Sequence, residues 1–69
     1  MGYIIVKFSE TRQVIIDGVA SGQNTGVVIE VEDGKHIVKL DGDTNYQPPS
    51  HDVVVEETGE LDPLEIVFT

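Results

Sequence analysis

The stretch Val27-Val28-Ile29-Glu30-Val31-Glu32-Asp33-Gly34-Lys35-His36-Ile37-Val38-Lys39-Leu40 decides how this chain is read. Apolar side chains recur at alternate positions on both sides of Asp33-Gly34, the period of a strand with one buried face. Asp-Gly suits the positive φ angles of a two-residue hairpin turn. The expectation is a hairpin over residues 27–40, with Glu32 facing Lys35, Val31 facing His36, Ile29 facing Val38 and Val27 facing Leu40. In that register Val27, Ile29, Val31, Val38 and Leu40 form one apolar face with His36 at its end. Val28, Glu30, Glu32, Lys35, Ile37 and Lys39 form a mixed face.

The flanking segments repeat the same period. Residues 3–8 put Ile4, Val6 and Phe8 on one side, and residues 13–16 are a short β-branched run ended by Asp17-Gly18. Residues 18–26, whose only apolar members beside glycine are Val19 and Ala20, read as a loop. Pro48-Pro49 supplies no ladder donors, so residues 41–52 read as a connection. Further strands are expected at 53–55 and 64–68, the latter with Leu64, Ile66 and Phe68 on one face, and Gly59 and Pro63 mark the turn between them. About six short strands without helical periodicity predict a single all-β domain over residues 1–69, a small sandwich or partly open barrel.

Composition narrows the function classes. Thirteen acids against four bases give a formal net charge of −9, which repels nucleic-acid phosphates and anionic membrane faces. All four bases lie in the first 39 residues. Residues 40–69 form a base-free acidic half, read either as a solvated face or as a surface for a cationic partner. No apolar run is long enough to span a bilayer, and the start lacks the pattern of a signal peptide, so the chain is expected to be soluble as given. The absence of cysteine removes disulfide staples as a source of stability and leaves the compartment open.

Few constellations carry chemistry. Ser50-His51-Asp52 has the residue types of a hydrolase triad, but neighbours in an extended chain point to alternate sides, and the segment reads as a polar lead into the following strand. No nucleophile elbow, phosphate loop or dinucleotide glycine pattern is present, so the chain is not expected to be an enzyme. Asp41, Asp43, Asn45 and Asp52 are candidate oxygen ligands for calcium, against the alternative of a plain Asp-Gly turn: position six of the loop is Tyr46 where a calcium loop has glycine, and no helix flanks it. His36 is read as closing the edge of the core, with a pH-sensitive role as the alternative. Tyr46 beside Pro48, together with Glu56, Glu57 and Glu60, is the candidate partner contact, although packing over the sheet edge is the preferred reading of Tyr46 itself.

The order of features from Val14 onward resembles the PEGA-type domain. The residues that carry the resemblance are Val14-Ile15-Ile16-Asp17-Gly18, Gly22 with Thr25, the strand from Val27 to Val31, Asp33-Gly34-Lys35-His36, Ile37-Val38-Lys39-Leu40, and Asn45-Tyr46-Gln47-Pro48. It spans about residues 14–69. The resemblance implies a transthyretin-like or peptidase-regulatory-like sandwich serving as a non-catalytic accessory in surface and multidomain bacterial and archaeal proteins. It implies no ligand set.

These readings together imply a structural or protein-interaction module that meets a partner protein, or a second copy of itself, through its sheet edges. Val28, Ile37 and Val67 offer apolar surface for such contacts. The alternatives are an acidic inhibitor or mimic bound to a basic protein surface, and a surface module that binds calcium weakly.

Overall fold

Strand alternation commits one face of every apolar segment to a shared interior, and the sheets form around that constraint. The computed structural model describes residues 1–69, with seven strands and no helix. They are β1 (Gly2–Lys7), β2 (Gln13–Ile16), β3 (Val19–Asn24), β4 (Val28–Val31), β5 (Gly34–Leu40), β6 (His51–Val55) and β7 (Leu64–Val67). A three-stranded sheet has the order β4-β1-β7 and a four-stranded sheet the order β3-β2-β5-β6. Ile4, Val6, Ile29, Val31, Ile66 and Phe68 from the first side meet Val14, Val38, Leu40 and Val55 from the second in one buried cluster that also holds Tyr46. The all-β sandwich read from the sequence is the fold.

The hairpin expected over residues 27–40 does not form. β4 pairs antiparallel with β1, with Ile29 opposite Ile4 and Glu30 opposite Tyr3. β5 pairs with β2 on one edge, Val38 opposite Ile16, and with β6 on the other, Val38 opposite His51. Glu32 and Asp33 therefore carry the chain from one sheet to the other. Alternation says which side chains point inward, and it is satisfied equally by strands lying side by side and by strands facing each other across a core. Facing is what a short chain needs, because a lone hairpin leaves its apolar face without a cover. Val27, expected on the apolar face, lies outside β4 and is exposed.

The two-residue hairpin is at the first Asp-Gly of the chain, residues 17–18. Asp17 and Gly18 both have positive φ, 53° and 79°, the signature of a type I′ turn. They join β2 to β3, with Ile16 opposite Val19. Residues 19–24, expected as loop, are thus an edge strand. All of them but Ser21 are exposed, so β3 is held by its ladder to β2 and carries no hydrophobic pattern. β6 also begins earlier than expected, at His51.

Candidate functional site

Two charged corners close the sandwich. At the first, the Asp17 carboxylate accepts from the Ile37 backbone N–H at 2.9 Å and lies 2.7 Å from His36 Nδ1, while His36 Nε2 lies 2.6 Å from the Glu32 carbonyl oxygen. Both ring nitrogens face acceptors, and only the imidazolium donates from both. The Asp17 contact first, and the Glu32 carbonyl second, raise the His36 pKa above its ordinary 6.5. The Ile37 amide and then His36 lower that of Asp17 below 3.8. His36 thus straps the β2–β3 turn to the β4–β5 crossing.

At the second corner Arg12 organises the loop of residues 41–45. Its Nη1 donates to the carbonyl oxygens of Asp41 at 3.0 Å and Asp43 at 3.1 Å. Nη2 donates to Asn45 Oδ1 at 2.8 Å and Glu10 Oε1 at 3.0 Å, and Nε to the same Glu10 oxygen at 3.3 Å. All the N–H donors of a guanidinium are used. Arg12 and then Asn45 hold the Glu10 carboxyl below its ordinary value, and the guanidinium lies over the Phe8 ring. The candidate calcium ligands do not converge: Asn45 and the Asp41 and Asp43 backbones serve Arg12, Asp52 sits in β6 opposite Ile37, and no three acidic or histidine side chains group to hold a metal. The loop does gather oxygens around a cation, and that cation is an arginine.

Tyr46 is not an exposed contact. It is buried between Phe8 and Phe68 in edge-to-face packing, with ring centroids 6.1 and 5.2 Å away. Its hydroxyl donates to the Leu40 carbonyl at 3.0 Å. The loop that carries it is tied to the C-terminus by reciprocal backbone bonds between Gln47 and Thr69. His51 packs edge-on against Phe68, with Nε2 2.8 Å from the Val67 carbonyl oxygen. Of the other candidate contact residues, Pro48, Glu56, Glu57 and Glu60 are exposed.

The surface carries two concavities. One, of about 340 Å³, borders the β5–β6 pair and is lined by residues that include Asp17, Lys35, Ile37, Asp52 and Val54. The other, of about 500 Å³, is lined by Tyr3, Val28, Glu30, Glu60 and Leu61 at the three-stranded sheet. Tyr3 donates its hydroxyl to Glu30 Oε2 at 3.2 Å. That bond first, with the nearby carboxylate charges contributing, raises the Tyr3 pKa above 10.0. Sequence reasoning assigned no role to Arg12 or Leu61 and grouped neither with its neighbours here. Arg12 stands 29 residues from Asp41, and the only local signal was that an arginine next to a β-branched run needs a partner for its charge.

Fold and surface together define a small two-sheet β-sandwich closed by charged corners. Comparison with known proteins returns no matching family model, curated protein or solved structure.

Proposed function

We propose that the chain is a non-catalytic protein-interaction module that takes a partner strand along the free edge of β6. The observation that carries this reading is the character of that edge. His51-Asp52-Val53-Val54-Val55 contains a β-branched run, Val53 to Val55, has no proline, lysine or bulge, and ends the four-stranded sheet. Val54 is 52 % exposed, beside Ile37 at 46 %. The other edges are shorter or polar: β4 and β7 have four residues each, and β3 contains Ser21-Gly22-Gln23-Asn24. An open edge of this kind is what strand addition uses. The turn-and-strand pattern shared with PEGA-type domains supports the same accessory role, as does the structural employment of both imidazoles.

The partner is a different chain carrying bases. A second copy laid antiparallel on β6 would bring Asp52, Glu56 and Glu57 of two chains of net charge −9 together, which electrostatics disfavours. The test uses a capped pentapeptide alternating valine and arginine. It is expected to slow amide exchange in residues 51–55, and V54K, a change at an exposed position, is expected to remove the effect. Light scattering should give the mass of one chain at high concentration. Unchanged exchange in β6, or a dimer that V54K dissociates, would defeat the proposal.

A further inference from the structure

We propose a second site, on the opposite sheet from β6, that receives an arginine side chain of a partner protein in the concavity between Tyr3, Val28, Leu61, Glu30 and Glu60. Three observations converge there. Leu61 is fully exposed, 101 %, yet its turn is fixed: Gly59 and Asp62 exchange backbone bonds at 3.2 and 3.0 Å. The same segment is moored to β1 by the Tyr3 N–H donating to Thr58 Oγ1 at 2.7 Å. A leucine held out on a closed turn next to Val28, itself 39 % exposed, offers preformed apolar surface of the kind that marks interaction sites. Beside it stand the carboxylates of Glu30 and Glu60, and no base lines the concavity.

The chain's four bases are spoken for or placed elsewhere. Lys7 pairs with Glu65 at 3.4 Å, Arg12 fills the loop of residues 41–45, and Lys35 and Lys39 lie on β5 of the other sheet. An arginine answers each feature of the concavity. Its methylene stem covers Val28 and Leu61, its planar cation lies against the Tyr3 ring, and its fork meets carboxylates at two points. A second copy cannot supply it, because the sole arginine, Arg12, already engages all its donors. The occupant therefore comes from another protein.

The proposal stands apart from strand addition at β6, and its probe is chosen to be unable to add a strand. A capped Gly-Arg-Gly peptide is titrated into the full chain at low salt while backbone amide shifts are followed. Shifts are expected at residues 3, 28, 30, 60 and 61, with Gly-Lys-Gly binding several-fold more weakly. The double variant E30Q/E60Q should weaken binding about tenfold, whereas E56Q/E57Q, which removes the same charge elsewhere, should change it less than about twofold. V54K should leave it unaltered. Equal loss in the two double variants, equal binding of the lysine peptide, or shifts scattered over the acidic half would show attraction to net charge alone and overturn the assignment.

Discussion

The chain contains the dipeptide Asp-Gly three times, and the first two copies do opposite things. Asp17-Gly18 reverses the chain within one sheet, both residues at positive φ, while Asp33-Gly34 hands it from one sheet to the other, with only Gly34 at positive φ, 119°. The difference is in what waits on each side. β2 has a free edge that β3 takes up, whereas both edges of β5 are filled by β2 and β6. Turn chemistry permits a hairpin, and competition for strand edges decides whether one forms. His36 then joins the hairpin turn to the crossing, with Asp17 on one ring nitrogen and the carbonyl of Glu32 on the other.

Breaking the crossing should cost more than breaking the hairpin. The largest effect is expected at Gly2, where an added Cβ would collide with Val55 Cγ1 and stand 2.8 Å from Asp33 Oδ1. G2A should destabilise by about 3 kcal/mol in urea unfolding, since the side chain it meets first is the fully buried Val55. Next comes G34A, at about 2 kcal/mol, because its φ lies where a side chain is strained whatever the space around it. G18A should cost only about 1 kcal/mol, because its αL geometry is less forbidden to an L-residue. If G18A proved the more damaging of the two, the crossing would not be the more demanding corner.

The smallest effect is expected at the link between the hairpin turn and the crossing. His36 has a raised pKa, so its contribution is complete below its unfolded value of 6.5 and is lost as pH rises through the folded value. Asp17 has a lowered pKa, so its contribution is complete above 3.8 and is lost as pH falls through the folded value. The strap therefore works best between these limits. Thermal unfolding of the wild type and H36Q should differ most near pH 5 and converge in alkali, and a difference independent of pH would remove the imidazolium from the account.

Much of this fold was legible because burial leaves a period. Ile4, Val6, Ile29, Val31, Val38, Leu40, Ile66 and Phe68 alternate in the sequence and are buried in the structure. Pairing was not legible, since the same alternation fits a hairpin and a facing pair. β3 was missed because an edge strand that packs on nothing has no hydrophobic signal. Packing of Tyr46 was legible as one of two readings, but its partners were not, because the space it fills is made by Phe8 and Phe68, at opposite ends of the chain. The oxygens of residues 41–45 announced a cation, and sequence does not distinguish a metal from a distant guanidinium. Leu61 and Tyr3 come together where Thr58 is moored to β1, a contact across 55 positions.

The architecture depends on β4 and β5 belonging to different sheets. Cross-strand backbone NOEs on uniformly labelled protein test it most directly. Contacts are expected between Ile4 and Ile29 and between Tyr3 and Glu30, with Val38 reporting Ile16 and His51. A ladder joining Ile29 to Val38 and Val31 to His36 would contradict it.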